Sequence, residues 1–124
     1  VRGRAAAACQ VRELDARVTR NILFVCSRNR LRSPTAEVVF RDEPGIETDS
    51  AGLAPDAEVP LDADQVRWAH LVVVMEKRHL TQLKRRFARH LGSTRVVCLD
   101  IPDRYDYLQP ELVELLRRRM RPYL

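Results

Sequence analysis

Two stretches of this chain, Ile22 to Cys26 and Leu71 to Met75, are unbroken apolar runs bounded by polar residues. A strand with one face in water alternates apolar and polar side chains. An unbroken run instead demands cover on both faces, which a parallel sheet between two layers of helices supplies. Ile46 to Asp49 and Val96 to Leu99 are two further candidate strands. Helical spacing runs through Pro34 to Arg41, Leu61 to Ala69, Lys77 to His90 and Pro110 to Met120. The alternation predicts an α/β fold: a single doubly wound domain with a four-stranded parallel sheet flanked by helices. Turn signals at Pro44-Gly45, Ser50-Ala51-Gly52 and Gly92-Ser93 fall between the expected elements. Ligands of such sheets bind beyond the C-terminal ends of the strands, which directs attention to the residues after Cys26.

A length of 124 residues suits one core, and the regular pattern starts at Asn21, so residues 21–124 are expected to form the domain. Residues 1–20, rich in Ala and Arg without an apolar signal region, are expected to be an appendage outside the core, either transit-like or carried-over upstream sequence. They hold five arginines against Glu13 and Asp15, which places +3 of the formal charge of +5 there. The remaining basic residues gather at Lys77 to Arg89 and Arg117 to Arg121, without interleaved aromatics. Solvated helix faces are expected rather than a nucleic-acid surface. No apolar run approaches the ~20 residues of a membrane span. The expectation is thus no nucleic-acid partner and no membrane partner, and the pattern says nothing of oligomeric state.

Cys9, Cys26 and Cys98 make an odd count without C-x-x-C spacing, which argues against a disulfide scaffold or a zinc site and favours a reducing, cytoplasmic setting. His70, His79 and His90 lack ligand spacing and read as surface or strand-edge residues, so no metal is expected. Trp68, within a helical pattern, reads as core packing.

The first strand ends in Cys26-Ser27-Arg28-Asn29-Arg30-Leu31-Arg32-Ser33, and Pro34 opens a helix. A loop of this kind aims successive backbone N–H groups at a phosphate, and the following helix N-terminus adds its dipole and free donors. Arg32 closes the loop with a planar fork of donors that fits phosphate oxygens, which a lysine cannot reproduce. An electropositive pocket favours thiolate over thiol, making Cys26 the candidate nucleophile. Ser27, Arg28, Asn29, Arg30, Leu31, Arg32 and Ser33 are the candidate phosphate-binding residues. The spacing alone is weak, because Cys98 and Arg104 also satisfy C-x5-R. That second loop carries Asp100 and Asp103, which repel phosphate, and Pro102, which lacks an N–H, so it is set aside; Cys98, flanked by Val96, Val97 and Leu99, reads as a small core residue.

The segment Ile22-Leu23-Phe24-Val25-Cys26, with Asn29 and Arg32-Ser33-Pro34-Thr35-Ala36-Glu37, resembles the low-molecular-weight protein tyrosine phosphatases, whose loop reads C-x-G-N-x-x-R-S-P after a first strand. Asp49-Ser50-Ala51-Gly52 is similar to their S-A-G segment, Met75-Glu76 to their Met-Asp, and Asp100 to Tyr105 to their acid loop D-P-[YF]. The resemblance spans roughly Asn21 to Met120. It implies Cys26 as nucleophile, Arg32 as phosphate clamp, Asn29 and Ser33 as loop-shaping hydrogen-bonders, and Asp103 as general acid, ahead of Asp100 and Asp106. The implied activity is hydrolysis of a phosphomonoester, foremost protein phosphotyrosine, through a phosphocysteine and without cofactors. The substrate implied is a phosphorylated protein or a small phosphomonoester. Arg28 stands at the family's glycine, Leu31 at its common second cysteine, and Arg30 at a usually apolar or small position. The family's aromatic wall beside Ser50-Ala51-Gly52 is missing, leaving Tyr105, with Tyr107 beside it, as candidates for one substrate wall. Two other readings share the loop: an arsenate reductase, which normally uses further cysteines, and a non-catalytic phosphate-binding interaction module.

Overall fold

The computed structural model describes residues 20–124, so the expectations for Cys9 and for residues 1–19 lie outside the described residues. The elements run β1 (Arg20–Cys26), α1 (Arg32–Phe40), β2 (Ile46–Gly52), α2 (Ala63–Trp68), β3 (Leu71–Val74), α3 (Lys77–Leu91), β4 (Arg95–Cys98) and α4 (Pro110–Met120), with a final 3-10 turn. The strands form one sheet in the order β2-β1-β3-β4, every neighbouring pair parallel.

Alternate residues of β1 enter opposite halves of the core, as two-sided cover requires. Ile22, Phe24 and Cys26 pack with Ala36 and Phe40 of α1 and Leu112, Leu116 and Met120 of α4. Leu23 and Val25 pack on the other face with Val66 of α2 and Leu83 and Leu91 of α3. The expected doubly wound sheet is therefore the observed one.

Boundaries shift for local reasons. Arg20, expected in the appendage, is the first residue of β1: its N–H donates to the Gly45 carbonyl (2.7 Å) and its Nη1 to that of Tyr123 (2.8 Å). Ser50-Ala51-Gly52, expected as a turn, belongs to β2, because β1 pairs with that strand through Cys26 opposite Gly52. The α2 helix starts later than its apolar pattern because Asp62 and Gln65 cap it reciprocally, Gln65 N–H to Asp62 Oδ1 at 2.9 Å and Asp62 N–H to Gln65 Oε1 at 3.2 Å. Since α1 begins at Arg32, Pro34 takes its third position rather than its first; the first three helical residues have no intrahelical acceptor for an N–H, so the imino acid still costs nothing.

The chain leaves β1 towards β2 and leaves β3 towards β4, so a crevice opens between the C-terminal ends of these two central strands. Cys26 ends one of them, and Glu76 lies two residues beyond the other.

Candidate phosphate-binding site

The turn after β1 is held from behind by the segment after β2. The carbonyls of Cys26, Ser27 and Arg28 accept hydrogen bonds from the N–H groups of Leu53 (3.0 Å), Ala54 (2.7 Å) and Glu58 (3.0 Å). In a trans peptide the N–H points opposite to the C=O. With three carbonyls turned outward, the N–H groups of Ser27, Arg28 and Asn29 are turned to the other side, as an anion cradle needs. Gly52 permits this close packing: a Cβ there would lie 2.6 Å from the Ser27 carbonyl oxygen and 2.9 Å from the Arg28 carbonyl carbon.

Asn29 is the left-handed residue of the turn, at φ 57°. Arg28 has no positive φ, so the family's glycine position is filled here without backbone strain, and Asn tolerates the left-handed region better than most side chains. The buried Asn29 Nδ2 donates to Ser33 Oγ at 2.9 Å, and that hydroxyl lies 2.9 Å from Cys26 Sγ. Since one lone pair of Ser33 already accepts from Asn29, its hydrogen is available to the sulfur.

Arg32 is 2% exposed, an uncommon state for a guanidinium, and its partners account for it. Nη1 donates to Glu76 Oε2 (2.6 Å) and to the Ile101 carbonyl (2.7 Å), while Nε stands 3.8 Å from Asp103 Oδ1. These bonds orient the fork and leave Nη2 without a hydrogen bond among the described residues. Arg78 also binds Glu76, Nη2 to Oε2 at 3.1 Å. Burial alone would raise the Glu76 carboxyl, but hydrogen bonds from Arg78 and Arg32, and their charges, bring it down to about 2.

His79, expected at the surface, is fully buried beneath the loop. The Glu76 N–H donates to its Nδ1 (3.1 Å), which places the ring hydrogen on Nε2, 2.9 Å from Ser27 Oγ. Nε2 thus donates to Ser27, whose own hydroxyl hydrogen stays free to serve an acceptor. Burial, then the charges of Arg32 and Arg78, lower His79 to about 4, which keeps it neutral.

A cavity of about 400 Å³ opens over the loop, lined by Cys26, Ser27, Arg28, Arg30, Leu31, Arg32, Arg78 and Asp103. Most of the residues expected from the sequence therefore meet in one place. Asn29 and Ser33 stand behind the loop as buttresses and are not in the lining. Tyr105 is not in the lining either: it is half-buried against the α1–α4 side of the core, with the Arg104 guanidinium 5.6 Å from its ring centre. Asp103 reaches the cavity because its neighbours are anchored, Leu99 N–H to Val74 O (3.0 Å) and Ile101 N–H to Met75 O (2.8 Å). Asp100 and Asp106 do not line it.

Sequence reasoning assigned no role to Glu76, Arg78 or His79. Their signal was position: all three directly follow β3 at the sheet edge that carries Cys26. Arg28 and Arg30 are steadied from outside, 3.4 Å from Asp56 and 3.4 Å from Glu58. Cys98, expected in the core, is half-buried on the edge strand β4, Sγ 3.5 Å from Asp100 Oδ1. It does not line the cavity. Among the described residues no group of three or more His, Cys, Asp or Glu side chains is placed to hold a metal ion, and no helix is long and apolar enough to cross a membrane.

A parallel doubly wound domain with a cysteine at the start of a backbone-lined anion loop and an arginine at its end defines a phosphate-loop α/β domain. Solved structures share the fold. The YwlE arginine phosphatase from Geobacillus stearothermophilus superimposes at TM-score 0.67 with 23% identity, over 84% of this chain and 92% of that one. The tyrosine phosphatase Wzb from Escherichia coli, in complex with phosphate, gives TM-score 0.69 and 22% identity over 85% of this chain and 96% of that one. A mutant YwlE arginine phosphatase with a phosphorylated active-site serine gives TM-score 0.63 and 26% identity over 82% of this chain and 94% of that one. No profile of a known protein family matches the chain, and no curated protein matches it in sequence. The fold is that of the low-molecular-weight protein tyrosine phosphatases.

Proposed function

We propose that this chain is a cysteine-dependent phosphatase that hydrolyses phosphomonoesters, foremost phosphotyrosine, through a phosphocysteine. The observation that carries the reading is the loop itself: Cys26 and Arg32 line one cavity, and the carbonyls on the loop's far side are held outward. Cys26 Sγ attacks phosphorus while the bond to the leaving oxygen breaks. The backbone N–H groups and Arg32 hold the three equatorial oxygens, on which charge is spread. Asp103 gives its proton to the departing oxygen, a step worth ~10²–10⁴-fold for a poor leaving group. Water then attacks the phosphocysteine, Asp103 takes its proton, and inorganic phosphate leaves with the sulfur restored as thiolate. The Ser33 hydroxyl, 2.9 Å away, stabilises that anion in both steps.

Of the two substrate types named for the structural neighbours, an aryl phosphate suits this cavity better. Phosphoarginine would bring a cationic leaving group among Arg28, Arg30 and Arg78, whereas a phenol is neutral and meets Leu31. Arsenate reduction is disfavoured because Cys98 stands on β4, outside the lining. Phenyl phosphate and phosphoarginine, offered separately to the enzyme and quenched in acid, test the proposal. Turnover of the first, with an acid-trapped protein carrying one added phosphate on Cys26, is the expected outcome. A protein that leaves phenyl phosphate intact and hydrolyses phosphoarginine, or reduces arsenate, would overturn it.

A further inference from the structure

A second hollow of about 520 Å³ adjoins the first and shares Ser27, Arg28 and Arg78 with it. One wall is a face of α3: Arg78, Gln82, Arg85 and Arg86 recur at the spacing that places side chains on one side of a helix. The opposite wall is the turn Leu53-Ala54-Pro55, and no Asp or Glu is among the lining residues. Arg86 is fixed by its Nη1 bond to the Leu53 carbonyl at 2.7 Å, which joins the two walls. Neither Arg85 nor Arg86 has a carboxylate within ion-pair distance among the described residues. The carboxylates nearby are already engaged, Asp56 by Arg28 and Glu76 by Arg32 and Arg78. The hollow thus has a surplus of positive charge, with forked donors suited to carboxylate or phosphate oxygens.

We propose that this hollow is a subsite for a second anionic group of the substrate, so that the enzyme prefers phosphotyrosine peptides carrying acidic residues beside the phosphorylated one. The inference rests on the phosphatase reading above and deepens it. A substrate anchored at its phosphate in the first cavity runs over Ser27 and Arg28 into the second. There a flanking Asp or Glu meets Arg85 and Arg86, while a flanking Lys meets like charge.

The test compares kcat/KM for three phosphotyrosine peptides that differ only in flanking Glu, Ala or Lys, alongside phenyl phosphate. The wild type should favour the Glu peptide over the Ala peptide by about tenfold, the size given by a few exposed charge pairs, and the Lys peptide should be poorest. Raising the ionic strength should shrink the difference. Arg85 is exposed and has no carboxylate partner to lose, so Arg85→Glu should keep the fold and phenyl phosphate turnover while removing most of the preference for Glu. Equal kcat/KM for the three peptides, or an Arg85→Glu variant that keeps the preference, overturns the inference and leaves the phosphatase reading intact. A wild type inactive on phenyl phosphate overturns both.

Discussion

The chain contains the same spacing twice, and the two copies differ in everything but spacing. In the loop from Cys26 to Arg32, three carbonyls are tied outward, Asn29 takes the left-handed turn, and the arginine is buried against Glu76 and the Ile101 carbonyl. In the stretch from Cys98 to Arg104, the cysteine sits on an edge strand with Asp100 3.5 Å from its sulfur, and burial raises that thiol. Arg104 is exposed and lies over Tyr105. A cysteine and an arginine six residues apart thus mean nothing until neighbouring chain turns the backbone between them into a set of donors.

The comparison breaks most directly at the sulfurs. Cys26→Ser should lower kcat/KM for phenyl phosphate by at least about 10⁴-fold, whereas Cys98→Ser should stay within about twofold. Comparable losses from both would mean the second copy takes part in the chemistry. The paired aspartates come next. Asp103→Asn should slow phenyl phosphate hydrolysis about 10²–10⁴-fold and esters of strongly acidic phenols much less, because only the poorer leaving group needs a proton. Asp100→Asn should leave the leaving-group dependence unchanged; the opposite pattern would move the acid to Asp100.

A smaller effect tests what distinguishes the first loop, its backing. Gly52→Ala forces a Cβ against the Ser27 carbonyl, and overpacking of this kind costs about 1–3 kcal/mol. Thermal melts should show that loss, with a raised KM for phosphate esters. A variant with unchanged Tm and KM would show that the loop yields without consequence.

The smallest effect is a pH dependence. His79 is held at about 4 against an ordinary 6.5, so the unfolded chain takes up its proton first. The stability His79 contributes is full above pH 6.5 and is lost as the pH falls through 4. Glu76, at about 2 against 4.5, adds a second loss that begins below pH 4.5. Wild-type Tm should therefore decline from pH 6.5 to 4 as the His79 contribution is lost, and go on declining below pH 4.5 as the Glu76 contribution follows. His79→Gln should flatten the upper part of the curve alone; an unaltered slope would place the titrating group elsewhere.

Much of this was legible in the sequence, for reasons that differ by residue. The unbroken runs at Ile22 and Leu71 announced two-sided cover; Cys26 and Arg32 stood out because they follow the strand end where such sheets bind ligands, Asp103 because of the resemblance, and the three line one cavity. What escaped were contacts between distant segments. The burial of His79 depends on a hydrogen bond to Ser27 across 52 positions, and the engagement of Glu76 on Arg32 across 44. No local pattern carries such pairings. Tyr105 was misjudged for the converse reason: its place in the motif was clear, but its ring turns to the core. Cys98 looked like core from its apolar neighbours, and β4 proved to be an edge strand.

The clamp of Leu53, Ala54 and Glu58 on the three loop carbonyls has a consequence for what mutation can reach. In the proposed reaction, hydrogen bonds to the phosphate come largely from main-chain N–H groups, which no substitution removes unless it introduces proline. Side chains at positions 28, 30 and 31 are thereby released from holding the anion. On that reading, reaction and selectivity are written in different atoms of the same eight residues, so the leaving group can drift while the attack of sulfur on phosphorus stays the same.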